Sequence, residues 1–247
     1  MLKRLLDFLA AVFGLIAASP VLLPIMFLVW WKDRHSPFYI APRVGRNGLP
    51  FKMVKMRSMV IGADRRGSSS TSNDDRRITP VGHFIRRYKI DELTQLWNVL
   101  KGDMSLVGPR PQVQSGVDLY TTRERDLLNV RPGITDFASI VFSDEGVILE
   151  GHPDPDAGYN QLIRPGKSLL GLFYVEKNSL SVDLRLVWLT FVTIISRRRA
   201  LQGLQKLLKS LDAPADLMRL ALREDPLVPM KLPGLGDFEY ANSDLGP

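Results

Sequence analysis

Two adjacent carboxylates, Asp91 and Glu92, lie just downstream of three cations, Arg86, Arg87 and Lys89. The carboxylates are predicted to begin a helix, where free backbone N–H groups and the helix dipole stabilise negative charge. Because the helix dipole and the cations both lower carboxyl pKa values, we expect both side chains to be ionised. An ionised aspartate can attack phosphorus and form an acyl phosphate, and a neighbouring glutamate can hold Mg²⁺ on a diphosphate. By itself the pair has a simpler explanation, because an acidic residue often caps a helix.

The helix that would carry these carboxylates is defined by an apolar stripe. Leu93, Leu96, Trp97 and Leu100 recur at helical spacing, and Gly102 is a typical stop signal. The sequence therefore predicts one amphipathic helix that runs from the carboxylates to this glycine, with the stripe facing the protein interior.

Proline and glycine divide the rest of the soluble region into short pieces. Gly108-Pro109-Arg110-Pro111 cannot form regular helix or a central strand, and we expect a rigid extended turn there. Arg131-Pro132-Gly133-Ile134-Thr135 is predicted to form a second rigid turn. Arg46-Asn47-Gly48 indicates a hairpin, and the polar segment 62–77 indicates a mobile loop.

An apolar run of 24 uncharged residues extends from Phe8 to Trp31. This length suffices for a bilayer, which needs ~20 apolar residues in a helix. Ser19-Pro20 and Pro24 lie in the middle of the run, and proline removes a backbone donor and bends a helix. The sequence therefore predicts a membrane helix that is broken at Ser19-Pro20, where the Ser19 hydroxyl can bond a carbonyl that the proline frees.

Basic residues flank the apolar run on both sides, with Lys3 and Arg4 before it and Lys32, Arg34 and His35 after it. By the positive-inside tendency both ends prefer the cytoplasm. A helix that bends and returns to its own leaflet satisfies this preference, and a straight helix does not. An ordinary signal anchor with a tolerated proline is the alternative. A cleaved signal peptide is disfavoured, because the run is too long and no small-residue cleavage pattern follows it.

A second apolar segment, Leu184 to Ile195, is followed by the three arginines 197–199. It is too short to span a membrane, and its basic end predicts an interfacial helix in the headgroup plane; a buried core helix is the alternative. Beyond Ala213 five prolines predict a loosely packed tail. The predicted division is a membrane helix at 1–35, a soluble domain at 36–200, and a C-terminal helix and tail at 201–247.

Composition limits the chemistry further. The chain has 247 residues and a net charge of +7, which suits an anionic partner such as a nucleic acid or a lipid leaflet. Nucleic acid is disfavoured, because the basic residues are scattered and not interleaved with aromatic ones on one element. There is no cysteine, and the three histidines are widely spaced. A thiolate nucleophile is therefore excluded, and any metal is expected to be a hard cation held by oxygen ligands.

A longer pattern favours a reactive carboxylate pair over a simple helix cap. Residues 90–111, IDELTQLWNVLKGDMSLVGPRP, closely resemble the signature of the bacterial sugar transferases, the monotopic phosphoglycosyl transferases. The resemblance covers roughly residues 1 to 195. Further matches are Lys3-Arg4 with Asp7, Arg43-Val44-Gly45 before Gly48 and Phe51, Lys55-Met56-Arg57-Ser58-Met59, Thr79 with Gly82, Arg131-Pro132-Gly133-Ile134-Thr135, and Tyr174-Val175 with Asp183.

The resemblance implies a fold and a reaction. The fold is an α-rich α+β class: a re-entrant membrane helix broken at Ser19-Pro20, interfacial amphipathic helices and a small cytoplasmic catalytic domain. In the reaction a phosphosugar passes from a UDP-sugar to polyprenyl phosphate, with release of UMP. Asp91 would be the nucleophile that carries the phosphosugar, Glu92 would hold Mg²⁺, and Arg110 would contact the nucleotide or its phosphates.

The resemblance also implies further contacts and a location. Lys55, Arg86 and Arg131 match basic positions that would contact phosphate, and Asp183 matches an acidic position without a clear role. The location would be the cytoplasmic face of a bacterial inner membrane, with membrane lipids around the protein and downstream glycosyltransferases as further partners. Thr135-Asp136-Phe137-Ala138-Ser139 departs from the usual family pattern, which leaves the identity of the sugar open.

Two other functions fit parts of the sequence. In a hydrolase the same aspartyl intermediate would be discharged by water, and no lipid acceptor would be needed. In a basic membrane scaffold for glycan-assembly enzymes the carboxylate pair would only cap a helix, and no UMP would be released. The sequence leaves the glycan pathway, the prenol length and the oligomeric state open.

Overall fold

The longest element is an N-terminal helix, α1 (Leu2–Asp33), which contains Pro20 and Pro24. The computed structural model describes residues 2–65 and 70–235. Pro20 has no N–H to donate to the carbonyl of Ile16, and the Ser19 hydroxyl donates to this carbonyl at 2.7 Å instead. The predicted role of Ser19 is therefore confirmed. The helical backbone continues through Ser19-Pro20, so the predicted break is not a gap in the helix.

A hairpin and several short helices follow α1. The hairpin pairs β1 (Phe38–Val44) with β2 (Pro50–Met56) in antiparallel register across the turn at Arg46–Gly48, which confirms the predicted hairpin. The next elements are α2 (Pro80–Arg87), α3 (Ile90–Leu93), α4 (Leu96–Lys101), β3 (Ser105–Val107) and α5 (Gln114–Asp118).

The second half of the described chain is helical except for one strand. That strand, β4 (Gly133–Thr135), pairs in parallel with β3. A 3-10 turn at Glu124–Asn129 precedes it, and a π-helical turn at Tyr159–Ile163 joins α8 to α9. The helices are α6 (Phe137–Val141), α7 (Glu145–Ile148), α8 (Pro155–Gly158), α9 (Arg164–Lys177), α10 (Leu180–Ile195), α11 (Arg197–Ser210) and α12 (Ala215–Leu222).

Three hydrophobic clusters hold these elements together. The largest lies between α6, α9, α10, α11 and α12, and its fully buried side chains include Phe137, Ile140, Leu170, Leu186 and Leu204. Burying each such side chain contributes about 1.5–3 kcal/mol. This part of the fold is therefore an α-helical layer that packs behind the β3–β4 pair.

The two smaller clusters pack one side of α1 against the soluble domain. The first contains Ala11 of α1 with Met53, Leu96, Val99 and Met104. The second contains side chains from the other half of α1 and from β2, α2 and α3: Leu22, Ile25, Val29, Met56, Ile85 and Ile90. The helix therefore contacts the soluble domain along much of its length.

The predicted helix from the carboxylates to Gly102 is divided into α3 and α4 by a turn at Thr94 and Gln95. Leu96 is buried and Leu93 is half-buried, as the stripe predicts, but Trp97 is 54% exposed, and its predicted burial is wrong. The inward-facing position at the end of α4 is taken by Val99, which lies one residue before the last leucine of the stripe.

Two other predictions need correction. The predicted turn at Arg131–Thr135 contains β4, because Gly133 lies close enough to Gly108 for the two backbones to pair. The predicted loose tail is wrong for α12, since Leu217 and Leu220 are buried in the main core. Helix α11 also crosses the predicted domain boundary after residue 200. Part of the 62–77 loop and the end of the tail lie outside the described residues.

We expect Gly133→Ala to destabilise the fold, because the added Cβ would lie 2.1 Å from the backbone N of Gly108. Backbone atoms cannot move aside as a flexible side chain does, so the free energy of unfolding should fall by about 1–3 kcal/mol or more. The control is Gly116→Ala, whose Cβ would meet its nearest neighbour, Val113 Cγ2, at 3.6 Å. Thermal unfolding in detergent, followed by circular dichroism, should show a lowered midpoint for the first variant only. Equal unfolding midpoints for the two variants would contradict the close approach of the Gly133 and Gly108 backbones.

Candidate active site

A tight turn between α2 and α3 brings the first two charged groups of the site together. Lys89 has a left-handed backbone conformation, with φ 53°, and it lies between the end of α2 and the start of α3. The turn places Arg86, near the end of α2, in the electrostatic environment of Asp91. The chain reversal at Lys89 is thus what aligns a cation with the first carboxylate.

Strand β2 supplies the next cation, and polar contacts fix it to the helices. Asn98 in α4 accepts a hydrogen bond from the Val54 N–H at 2.8 Å and donates to the Lys52 carbonyl at 2.7 Å. The Thr94 hydroxyl donates to the Val54 carbonyl at 3.2 Å. These bonds clamp the strand on both sides of its centre, so that Lys55 is held beside α3.

The proline-bracketed Arg110 comes from a third segment. The Gly108 N–H donates to the Thr135 carbonyl at 2.9 Å, and the Gly133 N–H donates to the Pro109 carbonyl at 3.0 Å. Backbone bonds to β4 therefore fix the start of the extended segment, and its prolines restrict the remaining torsions. The predicted rigid turn at residues 108–111 has the expected irregular backbone.

Both carboxylates of the site are largely buried and lie next to cations. Arg110 Nη1 donates to Glu92 Oε1 at 2.8 Å, and Lys55 Nζ lies 3.8 Å from Asp91 Oδ2. The exposed side-chain fractions are 16% for Asp91 and 19% for Glu92. Arg110 thus binds Glu92 through a charge-assisted hydrogen bond, whereas Lys55 is at ion-pair distance from Asp91 without a hydrogen bond.

The two carboxyl groups have opposite pKa shifts. Burial raises the pKa of Glu92, but the Arg110 guanidinium and Lys55 outweigh it and bring the pKa to about 2. For Asp91 burial dominates and raises the pKa above its usual value, with Lys55 opposing it. The predicted lowering is therefore confirmed for Glu92 and wrong for Asp91. The cause is desolvation by the folded protein, and α3 is only one turn long.

The cations of the site are also affected by burial and by one another. Burial and the neighbouring Arg110 lower the pKa of Lys55 to about 8. Burial likewise lowers the pKa values of Arg86 and of Arg43 in β1. The Glu92 carboxylate raises the pKa of Arg110, which stays charged. The site therefore carries an excess of positive charge that two carboxylates do not neutralise.

A second ion pair borders the same site and was not predicted from the sequence. Lys167 in α9 pairs with Glu145 in α7, and its ammonium lies 5.2 Å from the centre of the Tyr159 ring. The Tyr159 hydroxyl accepts a hydrogen bond from the Gln112 side chain at 3.2 Å. Gln112 stands two residues after Arg110. The pair is therefore linked to the proline-bracketed segment.

The pair of Glu145 and Lys167 interacts electrostatically with the cations of the first site. Burial raises the pKa of Glu145, but Lys167 outweighs it, with help from Arg110 and Lys55, so that the pKa is lowered. Burial lowers the pKa of Lys167, but the Tyr159 hydroxyl and Glu145 raise it above its usual value. No local motif marks these residues, because they are more than thirty residues from Arg110 in sequence.

Two of the predicted site residues make their contacts elsewhere. Arg131 Nε donates to the Gly102 carbonyl at 3.0 Å, at the end of α4. Asp183 in α10 accepts a hydrogen bond from the Tyr174 hydroxyl at 2.7 Å and forms an ion pair with Lys3 of α1. The structure thus brings together Lys55, Arg86, Asp91, Glu92 and Arg110, and it gives Arg131 and Asp183 other partners.

The donor set at Glu92 is compatible with Mg²⁺. Among the described residues no three histidine or acidic side chains converge on one point. Mg²⁺ in phosphate chemistry usually needs only one or two carboxylates, with substrate phosphates and water completing the shell. Glu92 Oε1 is bound by Arg110, and Oε2 accepts no hydrogen bond from the described residues, so one carboxylate oxygen is available.

We predict that the Lys55 amine reacts with trace acetic anhydride with a midpoint near pH 8, because only the neutral amine is acylated. Peptide mass spectrometry across a pH series measures this midpoint. Arg110→Gln should raise it by removing a repelling cation, and Asp91→Asn should lower it by removing an attracting anion. A wild-type midpoint near 10.5, the usual pKa of a lysine amine, would contradict the burial of this amine.

Comparison with known proteins identifies the family of the chain. A family model described as bacterial sugar transferase matches residues 1–197. The exopolysaccharide production protein ExoY of Sinorhizobium fredii is 33% identical over 211 residues, 79% of this chain and 86% of that protein. The undecaprenyl-phosphate glucose phosphotransferase of Komagataeibacter xylinus is 35% identical over 209 residues, 80% of this chain and 36% of that protein.

A third relative is the UDP-N-acetylgalactosamine-undecaprenyl-phosphate N-acetylgalactosaminephosphotransferase of Aeromonas hydrophila. It is 33% identical over 198 residues, 79% of this chain and 44% of that protein. This chain thus spans less than half of the Komagataeibacter and Aeromonas relatives. The family description and these names indicate a sugar-phosphate transferase. Because the family model matches most of its length, the chain belongs to the bacterial sugar transferase family.

Proposed function

We propose that this chain transfers a phosphosugar from a UDP-sugar to polyprenyl phosphate through a covalent intermediate on Asp91. UMP is released, and the lipid-linked product begins the assembly of a glycan. The donor and acceptor classes follow from the names of the relatives, which include undecaprenyl-phosphate sugar phosphotransferases. The geometry of the two carboxylates supports the covalent route.

The observation that carries the proposal is the contrast between Asp91 and Glu92. Glu92 is fixed by Arg110, whereas the Asp91 carboxylate accepts no hydrogen bond from the described residues. Its oxygens therefore keep their lone pairs for an incoming phosphorus. Burial removes part of the water that would stabilise the anion, which favours reaction over solvation.

In the first step an Asp91 carboxylate oxygen attacks the phosphorus that bears the sugar. A new oxygen–phosphorus bond forms, and the bond from this phosphorus to the bridging oxygen breaks. The bridging oxygen leaves with the electron pair as part of UMP. Lys55, Arg86 and Arg110 lie in the same charged cluster, where they can bind the diphosphate and stabilise the developing charge.

In the second step a phosphate oxygen of the polyprenyl phosphate attacks the same phosphorus. The diphosphate bond to the lipid forms, and the bond to Asp91 breaks, so that the free carboxylate returns. Glu92 Oε2 would hold Mg²⁺ on the substrate phosphates, and this cation would offset charge on the donor diphosphate. Because UMP leaves before the lipid attacks, one carboxylate serves a soluble and a membrane substrate in turn.

Membrane placement is the second part of the proposal. α1 is the described helix that is long and apolar enough to cross a bilayer, which indicates membrane association. The side of α1 that faces away from the domain is apolar and exposed over its whole length, as at Phe8, Phe13, Ile16, Leu23 and Phe27. We propose that this side contacts lipid while the opposite side rests on the catalytic domain.

Both ends of α1 bind the same soluble domain. Near the start, Asp7 accepts hydrogen bonds from the Ser105 hydroxyl and the Leu106 N–H. At the end, Arg57 Nη2 donates to Asp33 Oδ1 at 2.8 Å. A helix that crossed the bilayer would separate these two contacts by the hydrocarbon core, which is ~30 Å thick. The contacts therefore support a helix whose two ends lie on the same side of the membrane. We propose that this helix is re-entrant, that it bends where proline removes a backbone bond, and that its ends lie on the cytoplasmic face of the inner membrane, as the basic residues at both ends favour.

Asp91→Asn should abolish UMP release from every UDP-sugar that the wild type uses, because an amide is a poor nucleophile. The control is Asp118→Asn, an exposed position in α5 whose carboxylate bonds only the Gln114 side chain among the described residues. Assays with and without polyprenyl phosphate measure UMP for both variants. Wild-type turnover in Asp91→Asn would refute the mechanism.

The same assays distinguish the two alternative functions. Sustained turnover of the wild-type protein without the lipid would identify a hydrolase. If the wild-type protein releases no UMP under any condition, the membrane scaffold is favoured.

We expect cysteines placed at positions 2 and 35 to be labelled only from the cytoplasmic side in intact cells. The native chain has no cysteine, so each label reports one position. Replacing Ser19 and Pro20 with Ala and Leu should move position 2 towards the opposite side, because an unbroken apolar helix can span. If a cysteine at position 2 of the otherwise native chain is labelled from the outer side, the re-entrant proposal is wrong and α1 is an ordinary signal anchor.

A further inference from the structure

A groove between α10 and α11 lies outside the candidate active site. Its volume is about 180 Å³, and it is lined by Arg185, Trp188, Leu189, Gly203, Lys206 and Leu207. The two helices are consecutive and are joined at Ser196. The groove therefore follows the seam of a helical hairpin.

A glycine on α11 allows the two helices to approach closely. A Cβ added at Gly203 would lie 2.5 Å from Leu189 Cδ2 of α10. Leu189 and Leu207 form the apolar floor of the groove and belong to the main core. The groove is thus built on a fixed base, with Arg185 on one wall and Lys206 on the other.

The charge of the groove is suited to an anion. Two cations and no carboxylate line it. Arg185 and Lys206 are exposed, and within residues 2–65 and 70–235 neither makes an ion pair or a side-chain hydrogen bond. Two long basic side chains on opposite walls can direct their charged ends to one phosphate group between them.

The apolar surroundings of the groove are suited to a lipid. Trp188 is 67% exposed, and Leu184, Phe191 and Ile195 continue the exposed apolar row along α10. This row begins one residue after Asp183, which pairs with Lys3 at the start of α1. The start of α10 therefore lies beside the start of α1. Tryptophan is also typical of the membrane interface, where headgroups meet acyl chains.

We propose that this groove binds the phosphate of an anionic phospholipid of the surrounding bilayer. Arg185 and Lys206 hold the phosphodiester, and the acyl chains lie along Trp188 and the apolar row of α10. The site is separate from the acceptor site of the transferase reaction. It would fix α10 at headgroup depth in an anionic leaflet.

Native mass spectrometry of the full chain in detergent tests this site without any turnover. The protein is incubated with equal amounts of phosphatidylglycerol and phosphatidylcholine of the same acyl chains, and the retained lipids are counted. The wild type should retain phosphatidylglycerol in preference. In Arg185→Gln with Lys206→Gln this preference should fall about tenfold, because each cation near a headgroup phosphate contributes to anionic lipid binding. Circular dichroism checks that the fold is kept.

The matched control is Arg125→Gln with Lys231→Gln, which removes the same charge at two exposed positions outside the groove. It should retain the wild-type preference. If the control loses as much of the preference for phosphatidylglycerol as the groove variant does, the effect is one of net charge and the proposed site is wrong. The proposed site is also wrong if the groove variant keeps the wild-type preference. A short-chain polyprenyl phosphate should bind in addition to phosphatidylglycerol. If it displaces phosphatidylglycerol from the wild type, the groove belongs to the acceptor and the proposal is wrong.

Discussion

Burial of two adjacent carboxylates is the constraint on which the arrangement of this domain depends. Removing a charge from water is costly unless cations or hydrogen bonds replace the lost solvation. Here the compensation comes from three segments: Lys55 from β2, Arg86 from α2 and Arg110 from the proline-bracketed turn. The Asn98 clamp, the Lys89 turn and the β3–β4 pair each fix one of these segments. Together they keep Glu92 paired with Arg110 and leave the Asp91 carboxylate oxygens without a hydrogen bond from the described residues.

The membrane helix is part of the same construction. α1 contributes to two of the three hydrophobic clusters, and one of these includes two residues next to the site, Met56 beside Lys55 and Ile90 beside Asp91. The depth of α1 in a bilayer would therefore set the depth of the carboxylates. This coupling explains why polar contacts occur at both ends of a helix whose outer side is apolar.

The parts of the site that lie in one contiguous motif could be predicted from the sequence. Asp91, Glu92 and Arg110 are close in sequence, and the structure brings them together. The raised pKa of Asp91 could not be predicted, because desolvation depends on how distant elements pack. The pair of Glu145 and Lys167 was missed for the same reason. Strand β4 and the exposed Trp97 likewise depend on tertiary contacts that periodicity does not encode.

The proposed mechanism depends on Asp91 as the residue that carries the phosphosugar. The most direct measurement is peptide mass spectrometry of the purified wild-type protein after incubation with a UDP-sugar that it uses, without lipid acceptor. We expect a peptide containing Asp91 that is heavier by one sugar phosphate, and we expect this adduct to be lost when polyprenyl phosphate is added. UMP release with no such adduct, or with the adduct on another residue, would rule out Asp91 as the carrier.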